Sequence, residues 1–417
     1  MPYPSLPANG LTREEQPVAE PLDYGGWSVT VHFVGVHGCP VDSTCAIVLQ
    51  TVDRLKADFD FVLHHPNDPV TIRPSPGDIL IGHPNRYGDC AFRRSFAQPG
   101  WARRIVFAPF SLGVLKDAAC IDDLVVEADL YLATSGPGWW KGLENSVISH
   151  WRHKMLPFEL GIDRNNFPAV RSRFNPPGQR RFLYIGSADR MRGGDYLAAL
   201  ADANPDLHFG WVRTGDSRHC LDWIPEMTTP AIRRRMERSR LNIAPRMHWR
   251  GPEGLRLTAT YDFVINCGCS DAMPCEILEC AAWGLVPVTT PQCGYEAGPW
   301  LTHIPLDDLA GASAILHEMN LWSDAEMKTR QAIGWNELDT RYNWDKAAAQ
   351  LRRALECPLP EPDHSAASLA RAESNREALR QVLRDERRAD MRLAVLEPLE
   401  TVSRLLSMTV GTWRRAA

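Results

Sequence analysis

No apolar run in this chain of 417 residues approaches the roughly 18 needed for a helix to span a bilayer, so the sequence offers no transmembrane helix. Basic charge is not in surplus either. Lys and Arg number 46 against 51 Asp and Glu, for a net charge of -5, which argues against a broad nucleic-acid surface. The opening MPYPSLPANGLTREEQ has no basic-then-apolar leader. Eleven cysteines are an odd number and too few for a disulfide scaffold of this length, which favours a reduced, cytoplasmic protein. There is no G-x-x-x-x-G-K-[ST] loop, no H-E-x-x-H and no G-x-S-x-G, against a P-loop NTPase, a zincin and an ordinary α/β-hydrolase.

What is present has ordinary globular proportions, 44% hydrophobic and 23% charged residues, and enough length for two domains. Residues 1–22, rich in Pro and polar residues, read as a loose arm. Trp27–Val34 reads as a strand, followed by the loop Gly35-Val36-His37-Gly38. Ser43 can cap a helix to Ala57, with Ala46, Ile47, Leu49, Val52 and Leu55 near one face. Asp60–Leu63, Asp78–Ile81, Arg104–Phe107 and Asp129–Ala133 are short apolar runs bounded by Pro, Gly or Asp, as buried parallel strands are. FNPPGQRR at 174–181 suits a linker between a domain over 23–173 and another over 174–356. In the second, strands are expected at Phe182–Ile185, Leu207–Val212, Met247–Trp249, Asp262–Asn266 and Val286–Thr289, with helices at Gly194–Ala203 and Glu276–Trp283. This is an α/β pattern of two doubly wound domains facing a cleft. Residues 357–417 form a helical tail: a charged stretch over Ser365–Arg392, then Leu399, Val402, Leu406, Val410 and Trp413 in a stripe that needs a partner surface.

Chemistry concentrates in Tyr261–Gly294, YDFVINCGCSDAMPCEILECAAWGLVPVTTPQCG. A strand ends at Asn266, and a loop of small residues leads to a helix near Pro274. Amides at such a helix start form an anion site. Asp271 lies in the loop and Glu279 two turns into the helix, with Glu276 on a neighbouring face. A carboxylate among Ile277, Leu278, Cys280, Ala281 and Ala282 is costly to bury alone. Taken by itself, Glu279 reads as capping a backbone or pairing with an Arg.

The stretch resembles the donor-binding signature of retaining GT-B glycosyltransferases of the family 4 type. There, an acidic residue, seven others and a Glu run from loop into helix, followed by a Gly and a hydrophobic-Pro-Val strand. Asp271 stands for the family's first Glu, Glu279 for the second, and Gly284-Leu285-Val286-Pro287-Val288 for the strand. Further likenesses follow in order: Leu160-Gly161-Ile162-Asp163, Phe182–Gly186, and Arg341-Tyr342-Asn343-Trp344-Asp345. The resemblance covers roughly residues 155–355, and the preceding domain only by architecture. It implies that Asp271 contacts the transferred sugar, that Glu279 holds the nucleotide ribose, and that Ala272, Met273, Pro274, Cys275 and Glu276 line the sugar and diphosphate. Arg192 stands where the family carries a Lys for the diphosphate. Ser187 replaces the usual Arg after Gly186, and Arg190 is a possible substitute from the loop.

The first domain, which by analogy holds the acceptor, is less readable. Gly35, His37 and Gly38 sit where such enzymes bring backbone close to donor and acceptor; a plain strand-to-helix turn is the equal alternative. His83, after a strand, could orient a sugar hydroxyl or simply face solvent. Phe107–Phe110 has no His where many relatives carry one. Gly136–Trp140 is either a sugar-stacking platform or rim packing. Cys267, Cys269, Cys275 and Cys280 lack the paired C-x2-C knuckles of structural zinc, and Arg233–Arg235 reads as a solvated helix face.

The resemblance implies an enzyme moving a sugar from a nucleotide-sugar donor to a hydroxyl acceptor (glycan, glycolipid or small metabolite), retaining, without a metal or other cofactor. No nucleic-acid partner is expected. The tail would contact the protein itself, a second copy or the inner face of a membrane. The alternatives are a non-catalytic sugar-, nucleotide- or partner-binding subunit, and a phosphorylase or epimerase on the same fold.

Overall fold

A computed structural model describes residues 29–35, 46–84, 90–109, 115–136, 140, 143–189, 191–213, 230–245, 247–359 and 365–385, with side chains at 115–117 excepted. Among these the strands form two six-stranded parallel sheets. The first contains β1 (Thr30–Val34), β2 (Asp60–His64), β3 (Ile79–Gly82), β4 (Arg103–Pro109), β5 (Leu130–Thr134) and β6 (Met155–Phe158), in the order β2-β1-β3-β4-β5-β6. Every residue of β3 and β5 is buried, as expected of central strands covered by helices on both faces. Phe33, Phe107 and Phe158, from three different strands, meet edge to face on one side of this sheet.

The second sheet contains β7 (Arg181–Gly186), β8 (His208–Arg213), β9 (Asn242–Ile243), β10 (Phe263–Asn266), β11 (Val286–Thr289) and β12 (Thr302–His303), ordered β12-β11-β10-β7-β8-β9. Phe182 stacks on Phe209 at 5.3 Å and on Phe263 at 4.8 Å, an aromatic ladder across three neighbouring strands. The helices between strands are α1 (Ile47–Leu55), α2 (Ala91–Phe96), α3 (Leu115–Glu127), α4 (Gly194–Ala203), α5 (Pro230–Arg238), α6 (Pro252–Thr258) and α7 (Cys275–Ala282). No helix among the described residues is long and apolar enough to cross a membrane.

The segment between the sheets is pinned rather than loose. The buried Asp262 carboxylate accepts from Arg171, from the Asn175 amide at 2.8 Å and from Arg181 N at 2.8 Å. After α8 (Leu309–Asn320) and α9 (Asp324–Thr340), α10 (Trp344–Glu356) returns to pack on α1 and β6 of the first unit. Arg103 of β4, itself buried, donates to the carbonyls of Ala354, Leu355 and Cys357 at 2.7–2.9 Å and so closes the C-terminal end of α10. A further helix, α11 (366–385), docks on the same unit: Leu379 is buried, Asn375 bonds Ser149 at 3.0 Å, and Arg376 reaches Asp122 at 3.2 Å. The Leu399–Trp413 stripe lies outside the described residues.

Three expectations need correcting. Met247–Trp249 is not a strand; the ninth strand is Asn242–Ile243. Trp249 instead packs edge-on against Trp283 at 5.1 Å and is half-buried ahead of α6, with His248 exposed. The first helix starts at Ile47 with Ala46 as its N-cap and no side-chain cap, and Ser43 lies outside the described residues. The edge strands β6 and β12 were not anticipated: one carries Pro157, and the other has only two residues.

Candidate active site

In each sheet the strand order reverses once beside the first strand, between β1 and β3 and between β7 and β10. Ligands of open parallel sheets bind outside the carboxyl ends of the strands at such points. Several of the residues singled out in the sequence fall there. Gly35 follows β1, and His83 follows β3 with its amide on the Val34 carbonyl at 3.1 Å. Gly186 and Ser187 end β7, and the loop of Asp271 follows β10.

The second-sheet site is built from its strand ends. The buried Asn266 accepts from Gly268 N at 2.8 Å, which turns the loop, and donates to Glu276 Oε1 at 2.8 Å, which ties the strand to the start of α7. After β7, Asp189 accepts the Ser187 hydroxyl and the Arg192 amide, the latter at 2.8 Å. Gly193 follows with φ +69°, and a Cβ there would lie 1.8 Å from the Cys267 carbonyl oxygen. Only glycine allows both that conformation and that approach, so the two loops lie directly together.

Arg192 is thereby brought between two carboxylates. Its Nε lies 3.8 Å from Asp271 Oδ2 and its Nη1 3.6 Å from Glu276 Oε1, ion-pair distances longer than a hydrogen bond. Its side chain keeps 30% exposure. Burial, reinforced by Asp271, pushes the Glu276 carboxyl up to about 7 although Arg192 opposes it. Asp271 also moves up, because burial and the nearby Asp189 outweigh Arg192. Burial alone would lower Arg192; Glu276 and Asp271 outweigh it and hold the guanidinium firmly charged.

Ala272 is half-buried, and Met273 has a left-handed backbone, φ +79°, fixed by its amide on the Cys293 carbonyl at 3.0 Å. A non-glycine residue there is strained by about 1 kcal/mol, which the surrounding contacts must offset. Pro274 is the N-cap of α7, its carbonyl accepting the Tyr295 hydroxyl at 3.0 Å, and Cys275 begins the helix half-buried.

Glu279 belongs to a different cluster. It is fully buried, and both of its oxygens meet Arg250 in a two-pronged pair, Nε to Oε2 at 3.1 Å. The Arg250 guanidinium lies over the Trp249 ring at 5.0 Å. Pairing with an Arg is the role the residue suggested when taken alone. Arg250 had no signature in the sequence, since it acts through a partner on another segment, and Asp189, whose partners Ser187 and Arg192 lie in its own loop, was not singled out. Asn266 was legible as a strand end but not as the tie to Glu276.

The loops after the two sheets also meet. A Cβ on Gly136, after β5, would lie 1.5 Å from the carbonyl oxygen of Gly294, which follows β11. Trp140 packs against the core of the first unit and carries Arg152 over its ring at 5.2 Å, as rim packing requires. His37, Gly38 and Arg190 lie outside the described residues. Cys267, Cys269, Cys275 and Cys280 are not in disulfides, and among the described residues no group of three or more His, Cys, Asp or Glu is placed to hold a metal ion.

No family model matches the chain, and no curated protein matches it in sequence. Solved structures do. Sucrose-phosphate synthase from Thermosynechococcus elongatus is similar with a TM-score of 0.57 at 14% identity, over 78% of this chain and 98% of that one. Anabaena HepE, solved with UDP and glucose, is similar at 0.51 and 12%, over 79% and 99%. The catalytic domain of starch synthase IV from Arabidopsis thaliana, bound to ADP and acarbose, is similar at 0.51 and 9%, over 79% and 98%. At these identities the likeness is one of fold, and with two parallel doubly wound units meeting at the carboxyl ends of their sheets, the fold of this chain is GT-B.

Proposed function

We propose that this protein is a glycosyltransferase that moves a sugar from a nucleotide-sugar donor to a hydroxyl acceptor. The observation that carries the reading is Arg192, a half-exposed guanidinium at the β7/β10 switch point between Asp271 and Glu276, on a fold shared with proteins solved with UDP and glucose or with ADP. In this reading the donor diphosphate lies against Arg192 and the first amides of α7, which offset charge developing on the leaving group. Asp271 orients the transferred sugar. The acceptor (a glycan, glycolipid or small metabolite) enters over Gly35 and His83, which would class the enzyme with polysaccharide or metabolite glycosylation. Transfer proceeds with retention and without a metal, a diphosphate oxygen taking the acceptor proton. Work at a cytoplasmic membrane face, or as a homo-oligomer through residues 386–417, belongs to the same proposal.

Calorimetry with UDP-, ADP- and GDP-sugars, followed by turnover assays, tests it. Arg192→Ala should weaken donor binding, and Asp271→Asn should lower kcat more than it raises KM. Each removes a charge-assisted interaction and so roughly ten- to a hundredfold. If both variants stay within twofold of the parent, the donor does not bind here. Activity abolished by EDTA and restored by Mn²⁺ would remove metal independence, and anomeric NMR of the product decides retention.

A second reading is a GT-B-like subunit that binds a nucleotide or sugar without transferring it. It is favoured by Glu279, whose oxygens both engage Arg250, and by Ser187 in place of an Arg. Nucleotide binding with neither transfer nor donor hydrolysis would select it.

A further inference from the structure

The second sheet carries another concavity at its opposite edge, the amino ends of β7, β8 and β9. This cavity of about 310 Å³ is lined by Arg181, His208, Phe209, Arg240, Asn242 and Tyr261 among others. Its floor is aromatic and buried: Phe209 is 2% exposed and Tyr261 5%. Tyr261 lies across β8 at Gly210, where a Cβ would stand 2.1 Å from the phenol oxygen, so this glycine is what admits the ring. The phenol reaches Asn242 on β9 and forms a hydrogen bond with it. The rim is cationic. Arg181 and His208 are register partners at the starts of β7 and β8, Arg240 precedes β9, and all three are exposed. Among the described residues no carboxylate forms an ion pair with the Arg181 or Arg240 side chain, whereas Arg171, Arg180, Arg250, Arg341 and Arg352 each pair with an acid. Of the acids nearby, Asp262 is fully buried and turned toward Arg171, Asn175 and the Arg181 amide, Asp202 accepts the Arg240 backbone amide at 3.1 Å, and Asp206 lies 3.5 Å from His317.

Two guanidiniums and an imidazole around a hydroxyl-and-amide floor match one ligand chemistry. The forks receive a phosphate, and Tyr261 with Asn242 receives hydroxyls. We propose that this cavity is a second binding site, independent of the cleft, for a small hydroxylated phosphate monoester the size of a hexose phosphate. Its volume is at the lower end for small-molecule sites. One length of β10, about 13 Å, separates Tyr261 at its start from the Asp271 loop at its end. A ligand here therefore does not overlap a donor in the cleft.

The test is calorimetry on the full chain without nucleotide, using glucose 6-phosphate, glucose and inorganic phosphate as probes. Glucose 6-phosphate should bind, more weakly as salt is raised, and glucose should not. Arg181→Gln and Arg240→Gln, both at exposed positions, should each weaken it about tenfold with thermal midpoints unchanged. Tyr261→Phe should weaken the sugar phosphate and leave inorganic phosphate unaffected. Nucleotide binding in the cleft should be the same in all three variants, which separates failure of this site from failure of the donor reading. Equal affinity for glucose 6-phosphate and inorganic phosphate would overturn the assignment to an organic ligand. Unchanged affinity in the Arg181→Gln/Arg240→Gln double variant, or no binding of either phosphate, would overturn the site.

Discussion

Glu276 sits where charge is most finely balanced. Among the described residues three acids lie about Arg192, Asp271 and Glu276 at its guanidinium and Asp189 at its amide, so an incoming diphosphate meets more negative than positive charge from them unless a carboxyl is neutral. Glu276, pushed up to about 7, is the group able to change near neutral pH. Its protonated form leaves Arg192 available to the diphosphate; its carboxylate competes. Donor affinity should therefore be higher below pH 7 and fall as pH rises through it, by roughly tenfold for a shift of this kind. Glu276→Gln should flatten that profile in a calorimetric titration between pH 5.5 and 8.5 and keep affinity at the acid-side level. A profile in Glu276→Gln identical to the parent would show that another group titrates. The sign for stability is the same. A carboxyl raised above its ordinary value favours the folded state most below about 4.5, and that increment is lost as pH rises through about 7.

Among elements, α10 is the one whose position depends most visibly on a single side chain. Its last carbonyls are met by Arg103, a buried cation from a strand more than two hundred residues earlier. Arg103→Ala leaves those carbonyls without their donor in a buried place, which costs about 2–4 kcal/mol. The expected outcome is a thermal midpoint lower by roughly 5–10 °C for the unit involved and earlier proteolysis after Glu356. An unchanged midpoint would mean that water replaces the guanidinium. Elements bounded by backbone necessity were legible. Helix α4 follows Gly193 and β11 follows Gly284, both at positive φ, and both elements keep the bounds expected from the sequence. Met247–Trp249 misled because two large apolar side chains either side of a histidine look alike whether they join a sheet or, as here, rest a half-buried tryptophan against Trp283.

At the scale of the whole molecule, the loops of the two sheets meet glycine on glycine, Gly136 against Gly294. Gly136→Val puts a side chain where that carbonyl oxygen stands, with no flexible neighbour to yield, so the units must part. Small-angle scattering should report a larger radius of gyration. If the cleft is the transfer site, kcat should fall at least tenfold, about 1.4 kcal/mol, while nucleotide affinity stays near the parent value, because Arg192, Asp271 and Glu276 all belong to one unit. Unchanged dimensions would show that the loops repack locally.

The sequence by itself determined the α/β class, the two sheets, most strands, and the stretch after β10 as the place where acids gather. Apolar runs bounded by Gly, Pro and Asp have no other way to bury both faces. It also brought out Asp271 and Glu276 as candidates, because loop-to-helix chemistry is local, and Arg192 through the family resemblance. What it left open were pairings between segments far apart. That Glu279 is engaged by Arg250, that Arg103 closes α10 and that α11 settles on the first unit through Leu379 were decided only in three dimensions. A charged residue carries no mark in sequence of which distant partner will offset its burial. The partner is chosen when parallel strands, joined by long crossovers, bring their carboxyl ends side by side.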